Sequence, residues 1–364
     1  MNHFLKRRRY LFVLLFGFLA LSSCQILNIE RSTASPTPLT IIQTLETGSI
    51  EFTQAEVDTL NSLQKVDDHP LYVMIYTGPY REANLSALGA NNLQQSFYED
   101  KVGTSTWACS LFAALADPQM GLLGRNFDWE FSPGLLLFTN PPDGYASVSI
   151  VDLAYFFNAP AVTQLVDLNL TDRSPLLNTP SMPFDGMNEK GLAIGMAAVP
   201  QSPTPSDPKN ESVGSLRIIR MILDHAASVE EALKIMESVN ILWDGGPQLH
   251  YLIADASGKA ALVEFVDGGM IVLDKTNPWH LATNFLLSKN NGATDGICNR
   301  YDMLTEELQD GRGHLSLSAA MELLSDVSQS STQWSVVYQF SIGQISLAMG
   351  RNYAAIHTFH LDAP

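Results

Sequence analysis

The stretch ACSLFAALADPQMGLLGRNFDW, residues 108–129, carries the strongest indications of fold and chemistry in this chain. The part that starts at Cys109 is a short apolar run of strand length, which is typical of a buried strand. The segment DPQMG, residues 117–121, predicts a turn, because proline fixes φ and glycine tolerates the positive φ of tight turns. Residues 122–129 predict a second strand, so the stretch is expected to form a hairpin.

The predicted hairpin brings a thiol close to two charged groups. Its second strand carries Arg125 and Asp128 into the neighbourhood of Cys109. A thiolate is a far better nucleophile than a thiol, and a nearby positive charge favours the thiolate. Cys109 is therefore a candidate catalytic nucleophile.

At these residues the chain resembles a known family, the linear amide C–N hydrolases. This group includes choloylglycine hydrolases, penicillin V acylases and related acyl-transferases, all N-terminal-nucleophile enzymes. Their active strand begins at a cysteine, and the next strand carries an Arg-Asn-aromatic-or-Leu-Asp motif, here residues 125–128. The resemblance covers about residues 70–350. Later motifs follow in the same order, namely NEKGL (188–192), ATN (282–284), NRY (299–301) and TQWSVVY (332–338).

The resemblance implies an α+β fold, the four-layer αββα sandwich of N-terminal-nucleophile hydrolases. It also implies that Cys109 becomes the first residue of the catalytic chain, so that its own α-amine accepts the thiol proton. Such an amine titrates near about 7.7 to 8.0, which suits proton transfer near neutral pH. Self-cleavage between Ala108 and Cys109 is therefore expected, leaving a catalytic chain of residues 109–364 and a released segment 24–108.

The resemblance further implies a role for each remaining site residue. Asp128 should hydrogen-bond the α-amine, while Arg125 should polarise the thiol and line the pocket. Asn284 matches the family's side-chain donor to the oxyanion, and Arg300 matches a second arginine that braces the site. Ala198 stands where relatives carry Asn or Tyr, and its backbone amide matches the other oxyanion donor. The alternatives from the residues alone are that Asn284 is a solvated loop residue and that Arg300 is an exposed residue at a helix start.

The first 24 residues indicate export. Four basic residues precede an apolar run, residues 10–21, which ends on LSSC with Cys24 in last place. The run is shorter than the roughly 20 apolar residues of a membrane-spanning helix and is typical of a bacterial lipoprotein signal. We expect residues 1–23 to be removed and Cys24 to carry lipid, which anchors an extracytoplasmic protein to the membrane. An uncleaved N-terminal anchor is the alternative.

The charge balance argues against a nucleic-acid partner. Residues 1–23 hold four of the 21 basic residues and none of the 38 acidic ones, so the exported part has a net charge of about −21. Nucleic acid is bound through clustered Lys and Arg. The expected partner is instead a small-molecule N-acyl amide substrate, and the sequence leaves the oligomeric state open.

The chain has three cysteines, and lipidation of Cys24 leaves two. In an exported protein Cys109 and Cys298 could form a disulfide, which is the structural alternative to a catalytic thiol. The charged neighbours of Cys109 favour the catalytic interpretation. Cys298 lacks such neighbours and is predicted to be a small buried residue.

The body divides by composition and periodicity. Residues 24–53 are rich in Ser, Thr and Pro and predict a tether. Residues 54–108 resemble a propeptide, and within them 54–66 has helical spacing and 71–76 reads as a strand. The segments 168–183 and 201–212 predict loops that shape a substrate mouth. Further strands and helices are predicted at 135–139, 147–152, 192–199, 216–227, 229–236, 251–254, 259–265, 270–273, 300–310, 317–327, 336–340 and 345–349.

Two other classes of function remain open. A papain-like enzyme would pair Cys109 with a distant histidine such as His250, His280 or His357. A lipoprotein that only binds a ligand would use the same pocket without chemistry. No cofactor is expected, because the sequence has neither a metal-ligand spacing nor a phosphate-binding glycine loop.

The substrate is the least determined feature of the sequence. The family acts on conjugated bile salts, penicillin V and other N-acyl amides, and includes acyl-transferases. The loop residues Phe156, Phe157, Leu176 and Leu177 favour an apolar acyl group as a hypothesis.

Overall fold

The structure is a computed structural model that describes residues 51–80, 108–243, 246–290 and 294–361. The expected signal, the lipid attachment at Cys24, most of the tether and the segment 82–106 lie outside these residues. No helix in the described part combines the length and the apolar character needed to cross a membrane.

A nine-stranded sheet forms one half of the body. Its strands are antiparallel to their neighbours, except that β2 runs parallel to β5. In spatial order they are β1 (Gln64–Asp67), β2 (Leu71–Tyr76), β5 (Gly134–Thr139), β6 (Ser147–Asp152), β7 (Asp185–Asn188), β8 (Ala193–Val199), β11 (Gln248–Ala254), β12 (Ala260–Val266) and β13 (Gly269–Asp274).

A six-stranded antiparallel sheet forms the other half, and it contains the predicted hairpin as neighbouring strands. In spatial order its strands are β14 (Trp279–Ala282), β3 (Ala108–Ala114), β4 (Leu122–Asp128), β15 (Thr332–Gln339), β16 (Gln344–Met349) and β17 (His357–His360). A separate parallel pair consists of β9 (Glu211–Gly214) and β10 (Val239–Leu242).

Seven α-helices occur among the described residues. They are α1 (Gln54–Asn61), α2 (Ala159–Val162), α3 (Leu170–Arg173), α4 (Arg217–His225), α5 (Val229–Glu237), α6 (Asn299–Asp310) and α7 (Leu317–Asp326). Four 3₁₀ helices lie at Leu153–Tyr155, Leu165–Asp167, Ser174–Ser181 and Leu287–Asn290.

The two sheets pack face to face and helices cover their outer faces. The sheets approach closely at Gly195 of β8, where a Cβ would lie 2.6 Å from Cδ2 of Leu111. On the outer side of β7, a Cβ on Gly186 would lie 2.8 Å from Leu223 of α4. Helices α6 and α7 pack on the outer face of the six-stranded sheet through residues such as Leu304 and Leu324. The αββα sandwich that the resemblance implied is confirmed.

Two local predictions were wrong. The helix expected over 54–66 ends at Asn61, because the Ser62 hydroxyl bonds the backbone of Ile75 and directs the chain into β1. The loop expected over 168–183 is instead mostly helical, comprising α3 and a 3₁₀ helix whose Leu176 and Leu177 are fully buried. The final strand β17 was not predicted.

The segment before residue 81 is part of the same body as the rest. Strand β2 lies between β1 and β5, so it is an interior strand of the nine-stranded sheet. Its Tyr72 and Tyr76 donate hydrogen bonds to the carbonyls of Val162 and Leu177. Both tyrosines and the neighbouring Met74 are buried.

Candidate active site

Cys109 is the second residue of β3 and faces the space between the two sheets. It lies opposite Phe127 of β4, and 3% of its surface is exposed. This alternation is set by the strand, because Leu111 and Ala113 share its face while Phe112 and Ala114 face the helices. The hairpin prediction is thus correct in its two strands.

The backbone of Cys109 is bound on both sides by side chains from distant parts of the chain. Its N–H donates to Oδ1 of Asn284 at 2.6 Å, and its carbonyl accepts a hydrogen bond from Nη1 of Arg300. Arg300 also donates to Oγ of Ser110 at 2.9 Å and to Oδ1 of Asn284 at 3.0 Å. Asn284 and Arg300, both candidates from the sequence, therefore meet at the candidate nucleophile.

The orientation of the Asn284 amide follows from its partners. Its Oδ1 accepts two hydrogen bonds, while its Nδ2 donates to the carbonyl of Ala198 at 2.9 Å. A flipped amide would place Nδ2 against two donors. Nδ2 has a second hydrogen, which is free to donate to another acceptor.

The backbone amide of Ala198 has no partner in either neighbouring strand. The N–H of Asn188 in β7 donates to the carbonyl of Leu192. Because hydrogen-bonded residues alternate along an antiparallel pair, the even-numbered residues of β8 are those whose backbone N–H and carbonyl point toward β7. Strand β7 begins at Asp185, the residue opposite Gly195, so no residue of β7 lies opposite Ala198. The N–H and carbonyl of Ala198 therefore point past the end of β7, toward the side where Asn284 lies.

Asp128 lies opposite Ala108 in the β3–β4 pair and is fully buried. One carboxylate oxygen accepts a hydrogen bond from the Thr332 hydroxyl. The other has no hydrogen-bond partner among the described residues and lies 3.9 Å from Nη1 of Arg300. Burial raises the pKa of Asp128 to about 6, although Thr332 and Arg300 act in the opposite direction.

Arg125 does not line the pocket, contrary to expectation. Its side chain is fully buried, forms an ion pair with Asp185 and donates to the carbonyl of Phe184 at 3.1 Å. Asp185 also accepts hydrogen bonds from Tyr338 and Trp334. The positive charge of Arg125 is thus largely neutralised by the buried Asp185 carboxylate.

The thiol itself is not preformed as a thiolate. Burial raises the pKa of the Cys109 thiol, and the charge of Arg125 offsets only part of that rise. The Asp128 carboxylate raises this pKa further, while its backbone N–H and Arg300 lower it. The positive charge of Arg125 thus favours the thiolate, as expected, but burial outweighs it in the uncut chain, so the thiol needs a base.

A largely apolar cavity opens above Cys109. It encloses about 500 Å³ of empty space, part of which is open to solvent. Residues from both sheets and from the segments around 155, 184, 215 and 247 form its wall. The lining residues are Cys109, Phe127, Trp129, Tyr155, Phe184, Met196, Ala198, Ser215, Leu216, Gly246, Pro247 and Leu249.

The four residues expected to contact an apolar acyl group belong to another part of the core. Leu176 and Leu177 are fully buried in a cluster that contains Leu60 and Tyr72, and Phe156 and Phe157 pack against that cluster. The cavity is instead lined by Tyr155 and Phe184, which lie on either side of residues 156–183.

The alternatives based on other cysteines and histidines are not supported. Cys109 and Cys298 are both free, so the disulfide alternative is not supported, and Cys298 is partly exposed rather than buried. His280 bonds the carbonyl of Leu273, and His357 bonds Asp67. His250 bonds Glu264 and the carbonyl of Thr283, so none of the three candidate histidines bonds the thiol.

Several site residues escaped the sequence analysis because they come together only in the folded protein. Phe184 and Asp185 lie four and three residues before Asn188, the first residue of the NEKGL motif, and an acidic residue close to that motif was the available signal. Ser215 and Leu216 of the cavity wall carried no signal. No group of three or more potential metal-ligating side chains occurs in the described ranges.

Comparison with known proteins finds sequence similarity over part of the chain. Residues 177–350 match the sequence model of the family described as acyl-coenzyme A:6-aminopenicillanic acid acyl-transferase. Penicillin V acylase of Pectobacterium atrosepticum is 28% identical over 111 residues, which are 28% of this chain and 29% of that protein. The matched segment thus spans less than a third of that curated relative. Over these segments the chain is similar to penicillin acylase-like proteins.

A solved structure has a similar fold. A variant of the conjugated bile acid hydrolase of Clostridium perfringens matches with a TM-score of 0.50 and 15% identity, over 69% of this chain and 92% of that one. Penicillin V acylase of Agrobacterium tumefaciens matches with a TM-score of 0.47 and 17% identity, over 66% of this chain and 83% of that one. At these identities the likeness concerns the fold alone.

Proposed function

We propose that this protein is an exported, lipid-anchored cysteine amidohydrolase. It cleaves the linear, non-peptide C–N amide bond of an N-acylated small molecule through a thioester on Cys109. It becomes active by self-cleavage between Ala108 and Cys109. Residues 1–23 are the signal, 24–53 the tether, 54–108 the propeptide-like region and 109–364 the catalytic domain.

The observation that carries the proposal is the convergence of Asn284 and Arg300 on the backbone of Cys109. These two side chains bind the N–H and the carbonyl of one residue whose thiol opens into an apolar cavity. Fixing the backbone of a nucleophile at two points holds its side chain in one position relative to a bound substrate. The thiol of Cys109 is free and lines the cavity, which favours a chemical role over a purely structural one.

Cleavage supplies the base that the buried thiol lacks. The nitrogen that donates to Asn284 in the uncut chain becomes a primary amine, one bond from the Cα that carries the thiol. The unpartnered oxygen of Asp128 is a ready acceptor for a new amine hydrogen, because Ala108 lies opposite Asp128. This gives Asp128 the positioning role that the resemblance implied.

The reaction then proceeds in two halves. The amine takes the thiol proton, Sγ bonds the acyl carbon, and the carbonyl electrons form an oxyanion. When the oxyanion collapses the C–N bond breaks, and the ammonium returns its proton to the departing nitrogen. Water then attacks the thioester with the amine again as base, which releases the acid and restores the thiol.

Two donors are available for the oxyanion. Asn284 has one free hydrogen on Nδ2, and Ala198 has a backbone N–H without a strand partner. Ala198 lines the cavity, and Asn284 is bonded both to the N–H of Cys109 and to the carbonyl of Ala198. Donors that are fixed before the reaction stabilise developing charge without reorganisation. Arg300 keeps Asn284 oriented and adds positive charge near the acyl carbon.

The lipid anchor would remain attached to the catalytic chain after cleavage. Strand β2 is interior to the nine-stranded sheet, so the segment that contains it is not expected to leave when one peptide bond is cut. Release of residues 24–108, as expected from the sequence, would break the β2–β5 pairing and expose Tyr72 and Met74.

An acyl-transferase of the same fold is the second candidate. The description of the matched family favours it, and the chemistry differs only in whether an amine or water attacks the thioester. A non-catalytic ligand-binding lipoprotein is the remaining alternative.

One assay separates the three. Purified protein is mixed with a panel of N-acyl amides, with and without a second amine, and intact mass is followed during turnover. Acid release with an acyl adduct on Cys109 supports the hydrolase, and transfer to the added amine supports the acyl-transferase. Binding without an adduct or product would support the ligand-binding alternative and overturn the proposal.

A further inference from the structure

The link from β14 to the following 3₁₀ helix carries Asn284 and is held from the opposite sheet. This link consists of residues 283–288. Its backbone is bonded by two buried side chains of the nine-stranded sheet, His250 of β11 and Glu264 of β12. His250 exposes 1% of its surface and Glu264 exposes 0%.

The contacts secure both ends of the link. Nε2 of His250 lies 2.7 Å from the carbonyl oxygen of Thr283, the residue directly before Asn284. Glu264 accepts hydrogen bonds from the N–H groups of Leu287 at 2.7 Å and Ser288 at 3.0 Å. The same Glu264 oxygen that binds Leu287 lies 3.4 Å from Nδ1 of His250.

The hydrogen-bond partners of His250 indicate which of its ring nitrogens carry a hydrogen. A carbonyl oxygen only accepts, so Nε2 of His250 must carry a hydrogen. Nδ1 faces a carboxylate oxygen and must also carry one if Glu264 is ionised. Burial raises the pKa of Glu264, but its bonds to His250 and Ser288 outweigh burial and lower it overall. His250 and Glu264 therefore form a buried histidine–carboxylate pair that is bonded to the link.

We propose that His250 and Glu264 are positioning residues that hold Asn284 between Cys109 and Ala198 during the reaction. This inference rests on the proposed function and concerns the same site. Neither residue touches the cavity, so each acts through the link. Residues that orient a catalytic group are typically bonded to it or to its backbone in this way.

The test uses His250→Gln and Glu264→Gln, which keep side-chain size but break the pair. We expect kcat per titrated Cys109 thiol to fall at least about tenfold with KM unchanged, since a small displacement of a catalytic group costs rate while the acyl cavity is intact. His357→Gln is the matched control, because it breaks another histidine–carboxylate contact, with Asp67, away from Asn284. It should retain wild-type kcat.

Two further measurements distinguish positioning from general destabilisation. In an Asn284→Ala background, His250→Gln should cause little additional loss of kcat, because both changes disable the same donor. Amide exchange should accelerate in peptide 283–288 and remain unchanged in β15. Additive losses, a wild-type kcat in both variants, or unchanged exchange in 283–288 would overturn the inference.

The outcomes also separate this inference from the proposed function. If the wild-type protein turns over no acyl amide, the proposed function fails, and the exchange measurement still decides whether the pair secures the link. If the wild type is active and His250→Gln matches it, only the positioning inference fails.

Discussion

The side-chain oxygen of Asn284 accepts a hydrogen bond from the backbone nitrogen of Cys109 at 2.6 Å. In the uncut chain this nitrogen is an amide, and in the proposed active form it is the amine that serves as base. The same asparagine contacts Arg300 and the carbonyl of Ala198. One side chain thus connects the candidate base, the second arginine and the candidate oxyanion site.

Replacing Asn284 by Ala should reduce kcat by about 10²- to 10³-fold with little change in KM, because one oxyanion donor is lost only in the transition state. Initial rates normalised to thiol titration measure the effect. The matched control is Asn290→Ala, which removes a hydrogen bond to Leu286 in the neighbouring 3₁₀ helix. Equal losses in both variants would argue for a structural role of Asn284.

Asp128 should make the uncut chain less stable as pH rises. Its pKa is raised from 3.8 to about 6 by burial, so the folded chain binds this proton more tightly than the unfolded chain does. The resulting stabilisation is complete below about pH 4 and is lost as pH rises through 6. In a cleavage-blocked Cys109→Ala chain, Asp128→Asn should therefore raise the unfolding free energy at pH 8 by about 3 kcal/mol.

Denaturant unfolding of the Cys109→Ala chain, with and without Asp128→Asn, at pH 4 and pH 8 measures this difference in unfolding free energy. It should be near zero at pH 4, and the exposed Asp68→Asn should show no comparable change at either pH, since surface pairs contribute little. A destabilising effect of Asp128→Asn at pH 8 would contradict the unpartnered oxygen seen in the structure.

The N-terminal segment should remain bound after cleavage. Tyr72, Tyr76 and Met74 are buried, and Asp67 bonds His357 of β17 at 2.6 Å. A cut sample should show two bands on a denaturing gel but elute as one species on size exclusion without denaturant. A catalytic chain that elutes alone and remains active would contradict this.

Acyl selectivity should depend on Tyr155 rather than Phe157. Tyr155 lines the cavity, whereas Phe157 packs against the separate cluster of Leu176 and Leu177. Tyr155→Ala should lower kcat/KM about tenfold for long apolar acyl amides relative to acetyl amides, because apolar contact with the acyl chain is lost. Phe157→Ala should leave that ratio unchanged, and a chain-length series measures both. A wild-type preference for short charged acyl groups would defeat the apolar hypothesis.

Much of the fold was predictable because local patterns and tertiary structure agree. The hairpin of β3 and β4 combines two apolar runs with a Pro- and Gly-containing turn, and both strands form where expected. The helix predicted from Val57, Leu60 and Leu63 was too long, because its spacing continues past Ser62, where a tertiary bond to Ile75 ends it.

The site was predictable in its members but not in its environment. The motifs located Cys109 and Asn284, whereas the ion pair of Arg125 with Asp185 joins residues 60 positions apart on facing sheets. No local sequence pattern indicates that Asp185 neutralises the positive charge of Arg125, which was expected to activate the thiol. The His250–Glu264 pair was missed for the same reason, since it depends on the register of β11 and β12.

The most direct test is the N-terminal sequence and intact mass of the purified wild-type protein beside Cys109→Ala and Cys298→Ala. The account predicts a chain that begins at Cys109 in the wild type and in Cys298→Ala, and an uncut, inactive chain in Cys109→Ala. A wild-type protein that hydrolyses amides while Ala108 and Cys109 remain joined would contradict it.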